Sequence, residues 1–449
     1  MGAVPAVPLG VAIAEQSWDM TVALGAPTLL AILAIIATRW IGPPPDLRGI
    51  EAVATLSFMF LIVAGALAPA YMVLGMPWVD AAFESVSAIT STGLTVANDP
   101  MDWPFAGHVL RAWMQWAGGF AIAVAGVALI LGPGRPSQRM GSAGIEQKDL
   151  LTSTRLQARS LLTAYIVLTV ISCGILILLL PTWWEGLVVG LTAVSTGGFT
   201  PRPDSLASYS RAAQIATMLI CLSTAVSLMA YVVAKRSGPM AALRQTNALS
   251  VILFSLGGAC VAAVLAWPEG IVLDAVLNFV SGATTAGFSV ATVSQAPPVV
   301  ALILAGMVVG GGIGSTAGGL KLDRVLILLR TVQFSLRRLR APERAVTTMR
   351  ISGRTITERQ VIVLSATIFL YTVTAFCCWL AFLIGGVAPL SALFDVTSAL
   401  STVGLSSGVT GPDLSGPLKA VLIAAMLLGR LEFLALIAAL SPGTWFRRS

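Results

Sequence analysis

The sequence has 449 residues, of which 56% are apolar and only 10% charged, against about 25% charged in soluble domains. With a mean hydropathy of +0.88, a water-soluble enzyme or binding domain is excluded and a polytopic all-α membrane protein is expected. The net charge of +7 does not point to a nucleic-acid partner, because the basic residues sort to one side of the expected membrane.

Residues 1 to 19 hold Glu15 and Asp19 but no Lys or Arg, so no charged n-region of a secretory signal is expected. The apolar stretch Val4–Ala14 contains Pro5 and Pro8 and is too short to span, which suggests the remnant of a tenth helix. Nine apolar runs of spanning length follow, centred on 21–38, 50–75, 105–132, 160–180, 210–234, 248–267, 298–330, 360–385 and 416–440. When the loops are taken alternately, 22 of the 27 Lys and Arg residues fall on one side, including the stretch from Lys321 to Arg359. Only Arg111, Arg202, Arg211 and Lys419 fall on the other, and Arg430 lies within the last span. That asymmetry predicts a cytoplasmic C-terminus and an outer N-terminus. Cys173, Cys221, Cys260, Cys377 and Cys378 all lie in apolar spans and read as packing residues. His108, the sole histidine, has no second ligand at metal-binding spacing.

One short pattern occurs four times: hydroxyl, hydroxyl, any residue, Gly, Leu or Phe, hydroxyl. The copies are Thr90-Ser91-Thr92-Gly93, Ser195-Thr196-Gly197-Gly198, Thr284-Thr285-Ala286-Gly287 and Ser401-Thr402-Val403-Gly404, each with its two following residues. Each copy follows an apolar segment of about a dozen residues, too short to cross a bilayer, between two full spans on the outer side. This arrangement predicts four re-entrant loops around one pore. Backbone of this kind at membrane depth must be buried in protein or line water, and rings of its carbonyls suit a dehydrated cation. The expected divisions are an N-terminal segment at 1–45 with one transmembrane helix, then repeats at 46–140, 141–240, 241–345 and 346–449.

Thirteen residues before the glycines stand Asp80, Glu185, Asp274 and Ser391, which are expected to cap short pore helices. Nine residues before them come Glu84, Val189, Asn278 and Asp395, for which a structural role competes with direct attraction of ions at the outer mouth.

Two features break the apolar pattern below the loops. The seventh span is interrupted by Gly310-Gly311-Gly312-Ile313-Gly314-Ser315-Thr316-Ala317-Gly318-Gly319, and a helix should end there, since each glycine costs about 1 kcal/mol in a helix. An irregular loop on the cytoplasmic side of a pore would act as a gate; close packing of small residues between helices is the alternative. Arg430 is an ionised residue inside the last span, so it marks either the pathway or a buried pair with Glu432, although residues two apart do not share a helix face.

With Phe83-Glu84-Ser85, Met114-Gln115-Trp116-Ala117-Gly118-Gly119, the gate run through Lys321, Gly429 to Glu432 and the ending Ser441-Pro442-Gly443-Thr444-Trp445-Phe446, the chain resembles the Trk/Ktr/HKT superfamily of potassium transporters. It is most similar to the bacterial TrkH/TrkG branch. The resemblance covers residues 45 to 446 and implies a pseudo-tetrameric pore in one subunit, a homodimer, and a filter for potassium as the transported substrate. It further implies a gate at Gly310–Gly319 assisted by Arg430, a place in the bacterial inner membrane, and a cytoplasmic partner ring of the TrkA type that binds NAD or ATP/ADP. No covalent cofactor is implied. In the plant branch a serine in place of the first glycine accompanies sodium transport, so Gly93 favours potassium. The last filter, Ser401 to Leu405, is closer to the Ktr branch. A sodium or weakly selective cation transporter of the same fold is the alternative, and channel-like conduction and symport are both open. An intramembrane enzyme lacks the nucleophile or facing carboxylates it would need.

Overall fold

The computed structural model describes residues 4–38, 40, 49–131, 147–291, 296–340, 350–351, 354–355, 358–431 and 433. The chain starts with a short helix α1 (Ala6–Ala14) that turns back into α2 (Trp18–Ala37). The segment expected as a remnant is thus a nine-residue helix packed against α2 and a later helix.

A long, short, long helical triad then recurs four times. The first comprises α3 (Gly49–Val73), α4 (Trp78–Ile89) and α5 (Phe105–Leu131). The second comprises α6 (Gln147–Leu179), α7 (Trp183–Val194) and α8 (Arg211–Ala225), which continues as α9 (Leu228–Ser237). After the short α10 (Pro239–Gln245) come α11 (Ala248–Ala266), α12 (Val272–Thr284) and α13 (Pro297–Val309). Beyond the glycine run, α14 (Leu322–Arg340) leads to a two-residue hairpin, β1 (Arg350–Ile351) and β2 (Arg354–Thr355). The last triad is α15 (Glu358–Ile384), α16 (Pro389–Leu400) and α17 (Gly416–Arg430).

Among the described residues five helices are long and apolar enough to cross a membrane, and α8 with α9 adds a sixth as a bent pair. Their outward faces carry large apolar side chains such as Leu178, Val264, Phe369 and Ile384, as a lipid-facing surface requires. Three of the cysteines are buried and two, Cys260 and Cys377, lie on this outer surface; all five are free thiols.

The triads interlock in one rotational sense. Besides packing in its own triad, the second long helix of each rests on the short helix of the next: α5 on α7, α8 on α12, α13 on α16, and α17 back on α4. The ring therefore closes on itself, with the four short helices innermost. Almost every residue of their last two turns is buried, although these helices are only 12 or 13 residues long. Gly118 of α5 and Gly429 of α17 permit the closest approaches, because a Cβ at either would collide with the terminal carbonyl of a short helix, that of Ile89 or Leu400.

One predicted span differs in form. The run at 210–234 is not a continuous helix; it bends by 78° between Ala225 and Leu228. No proline causes the bend. Instead, Gly312 N donates to Ala225 O (3.0 Å) and Leu228 N donates to Gly314 O (3.0 Å), so the glycine run satisfies the backbone groups that the break exposes.

Candidate functional site

The four hydroxyl-glycine motifs sit where the short helices converge, and each begins directly at a helix C-terminus: Thr90 after Ile89, Ser195 after Val194, Thr284 as the last residue of α12, and Ser401 after Leu400. The partial negative charge of four helix ends is thereby directed at one place, an arrangement that favours a cation. Of the sixteen motif residues from the first hydroxyl to the glycine, fifteen are buried and Gly404 is half-buried.

The backbone repeats the same unusual course four times. The second hydroxyl residue is left-handed in every copy, with φ of 45° at Ser91, 50° at Thr196, 53° at Thr285 and 48° at Thr402. Such angles cost a non-glycine residue about 1–2 kcal/mol and persist only when surroundings impose them. Two residues later come the glycines, also at positive φ: 90° at Gly93, 80° at Gly198, 77° at Gly287 and 102° at Gly404.

These glycines form a closed ring. A Cβ on Gly93 would strike the carbonyl oxygen of Gly197, one on Gly198 that of Ala286, one on Gly287 that of Val403, and one on Gly404 that of Thr92. Each loop thus seats its glycine against the backbone of the next, and only hydrogen fits at all four contacts. The residues after the glycines interlock the same way: Phe288 packs in the core around α7 and α8, and Leu405 in that around α12 and α13. Phe199 likewise lies in the core that holds Ile89, Leu94 and Met114.

The first hydroxyl of each motif is turned away from the ring. Thr90, Ser195 and Thr284 donate back to carbonyls one helical turn earlier, those of Val86 (2.7 Å), Leu191 (3.1 Å) and Val280 (2.7 Å). Ser401 shares a hydrogen bond with the Tyr371 hydroxyl at 2.6 Å.

The second hydroxyls all meet the glycine run or Arg430. Thr196 donates to the Thr316 hydroxyl (3.3 Å), and the Thr285 hydroxyl accepts from Gly318 N (2.5 Å). Arg430 donates to the hydroxyls of Ser91 (2.5 Å) and Thr402 (3.4 Å) and to the Thr316 carbonyl (3.0 Å). The predicted break in the seventh helix is therefore a folded loop that contacts the second, third and fourth motif loops directly and is linked to the first through Arg430. It is held further by Gly319 N on Ser401 O (3.0 Å), by Thr316 on Val194 O (3.2 Å), and by the Lys321 ammonium on Ala317 O. Of the two readings of Arg430, the contact with loop and motifs is present; Glu432 lies outside the described residues.

The polar residues that precede the motifs have roles other than those expected. None of Asp80, Glu185, Asp274 and Ser391 is an N-cap; the caps are Pro77, Thr182, Ile271 and Ala388, because these residues lie within the first turn. The three acids instead form ion pairs, Asp80 with Lys419 (2.7 Å), Glu185 with Arg202 (2.9 Å) and Asp274 with Arg211 (2.5 Å). Glu84, one turn deeper, pairs with Arg111 (3.3 Å). Arg111, Arg202, Arg211 and Lys419, the four basic residues expected on the outer side, are thus matched by acids of short helices, a pairing that charge counts could not disclose. The Tyr209 hydroxyl joins Glu185 (3.2 Å), and burial pushes its pKa well up.

Positions nine before the glycines hold the outgoing strands. Glu84 accepts from the Thr95 hydroxyl (2.5 Å), Val96 N (2.8 Å) and Ala97 N (3.3 Å), and Asn278 from Val290 N (3.1 Å). Asp395 accepts from Ser406, Ser407 and Thr410, with backbone contributions from the last two. The structural alternative for these residues is the one the geometry supports.

Sequence reading passed over three further braces. Ser87 and Ser398 accept from Gly93 N (3.1 Å) and Gly404 N (3.0 Å), and Gln115 of α5 donates to Gly197 O (2.5 Å). A serine six residues before the glycine is a visible signal in the first, third and fourth copies; Gln115 comes from another triad and leaves none. His108 is buried among Trp103, Trp184 and Arg111, without a metal-ligand cluster among the described residues.

The sequence profile of the TrkH family, described as a cation transport protein, matches residues 62–236 and 239–443. The chain belongs to the TrkH family of cation transporters. Membership makes it a multi-pass transport protein rather than an enzyme. It is 30% identical over 391 residues to the Trk system potassium uptake protein TrkH of Vibrio parahaemolyticus, covering 82% of this chain and 79% of that one. The TrkG protein of Escherichia coli K12 is 27% identical over 396 residues, covering 83% and 80%. The crystal structure of the potassium transporter TrkH from Vibrio parahaemolyticus superposes with a TM-score of 0.85 at 24% identity, covering 99% of this chain and 96% of that one, and establishes the shared fold.

Proposed function

We propose that this TrkH-family protein carries potassium into the cell across the bacterial inner membrane, with its C-terminus cytoplasmic. The four motif loops, at 90–93, 195–198, 284–287 and 401–404, are its selectivity filter, one from each pore repeat. The observation that carries this reading is the closed ring of four positive-φ glycines, each seated on a carbonyl of the next loop. Such a ring fixes the spacing of backbone carbonyls around one axis, where they replace the hydration shell of a monovalent cation. Potassium is favoured because the curated relatives described above are potassium uptake proteins and because glycine occupies position 93.

Gly310–Gly319 and Arg430 form the gate. With the second hydroxyls of all four loops bonded to this plug, the path below the filter is closed and a cation must wait for the loop to leave. Opening requires a force from the cytoplasmic side, which a TrkA-like ring binding NAD or ATP/ADP would supply to a homodimer of this chain. Whether entry is channel-like or a symport follows from the same measurement that tests the function.

Purified protein in liposomes should take up rubidium or potassium down an imposed potential, and reversal potentials in mixed potassium and sodium should favour potassium. Equal permeation of sodium would instead support the weakly selective alternative; absence of cation flux from both the wild type and an Arg430 variant would end this reading. A stoichiometric proton or sodium flux accompanying potassium would mark a symport.

A further inference from the structure

The four quarters of the ring are not braced alike behind the filter. The position that holds the outgoing strand is Glu84, Asn278 and Asp395 in three repeats, but Val189 in the second, where an apolar side chain holds nothing. The second strand nevertheless carries Phe199, 2% exposed, directly after Gly198. Against its ring, 3.9 Å from the centroid, lies the guanidinium of Arg111. This arginine is itself 2% exposed; it contacts Trp103 at 5.1 Å, donates to the Thr95 hydroxyl at 3.1 Å and pairs with fully buried Glu84 at 3.3 Å.

We propose that Arg111 is a positioning residue for ion selection, a staple that holds the second filter strand through Phe199 and the first through Thr95 and Glu84. A buried ion pair costs several kcal/mol in desolvation, more than a tether of neutral hydrogen bonds requires, and the fourth repeat achieves the same tether with Asp395 and, among the described residues, no cation paired to it. The Arg111 Nε and Nη1 atoms are buried without hydrogen-bond acceptors, so hydrogen bonding alone does not account for a guanidinium at this site. What it adds is a flat cation that can lie on the Phe199 ring while one nitrogen stays on Glu84, which a lysine or a neutral side chain cannot do together. Loss of the staple frees the strand after Gly198, and a ring whose carbonyls can shift discriminates less well between cations of different radius.

This inference rests on the filter reading above. The test measures the potassium-to-sodium permeability ratio of wild type, R111Q, F199L, the R111Q/F199L double variant and R111K in liposomes, with G93S as the reference for filter damage. The expected result is a ratio about fivefold lower in R111Q and in F199L, the factor that an ordinary cation–π contact carries. The double variant should be no worse than R111Q, and R111K should lower the ratio as well, because a lysine cannot keep both contacts. If R111Q is not recovered as a monodisperse protein, F199L and R111K decide by the same ratio. Flux that falls per folded molecule with an unchanged ratio, while G93S lowers it, overturns the staple alone; an unchanged ratio in G93S as well overturns the filter reading beneath it.

Discussion

Arg430 places one guanidinium nitrogen 2.5 Å from the hydroxyl of Ser91 and the other 3.0 Å from the carbonyl of Thr316, so a residue of the last helix ties the first motif loop to the glycine run. The contact is completely buried, and Ser91 holds a left-handed backbone there. A buried cation whose neighbours are neutral oxygens is costly. On the proposed gate, the closed state is assembled around it.

Arg430→Ala should therefore loosen the plug and raise the basal rubidium flux of purified protein in liposomes. Charge-assisted hydrogen bonds contribute about 1.5–3 kcal/mol each, so the loss of two corresponds to about a hundredfold more flux. Unchanged or lower flux per folded molecule would show that Arg430 does not hold the closed state.

Gly93→Ala introduces a methyl group where the Gly197 carbonyl already lies, at a φ of 90°. Left-handed backbone costs alanine about 1–2 kcal/mol before any collision is counted. Potassium flux should fall at least about tenfold and the preference over sodium should shrink, with the melting temperature lowered by a few degrees. Retention of both flux and preference would contradict the ring contact.

Asp80→Asn leaves Lys419, which is 5% exposed, facing a neutral side chain across the boundary of the first and last triads. Breaking such a pair should cost about 2 kcal/mol, less than the full penalty because Asp80 is partly exposed. The drop is measurable as a lower thermal midpoint in detergent. Adding Lys419→Met should recover most of it, because an apolar side chain removes the uncompensated charge.

The Arg202–Glu185 pair should contribute equally from pH 6 to pH 9. The hydrogen bond that Arg202 donates to Glu185 raises the Arg202 pKa above the ordinary arginine range. A raised cation pKa stabilises the fold at every pH below the unfolded value and loses that effect only as pH climbs through the folded one. The difference in thermal midpoint between wild type and Arg202→Met should thus stay flat across that window. A difference that vanishes by pH 9 would contradict it.

Much of this molecule is legible in its sequence because a bilayer imposes strict lengths and tolerates few polar groups. Apolar runs of fixed length located the spans, and four short runs ending in hydroxyl-glycine motifs located the loops, because irregular backbone at depth is unusual enough to be recognised. The glycine run at 310–319 announced the end of α13 for the same reason. The α8–α9 bend gave no such warning, since it holds no proline or glycine and the groups that permit it belong to a segment some ninety residues away.

Composition and spacing, then, determined the class of fold, the four loops and their glycines, since each follows from the local cost of placing polar backbone in an apolar medium. Tertiary structure alone decided which partner each charged group takes. Asp80 and Lys419 are 339 residues apart, as are Arg430 and Ser91, and nothing local distinguishes these pairs from other acids, cations and hydroxyls of the chain. Closing the ring brings the last repeat against the first, and that closure makes a helix cation the tie between the first motif loop and the glycine run.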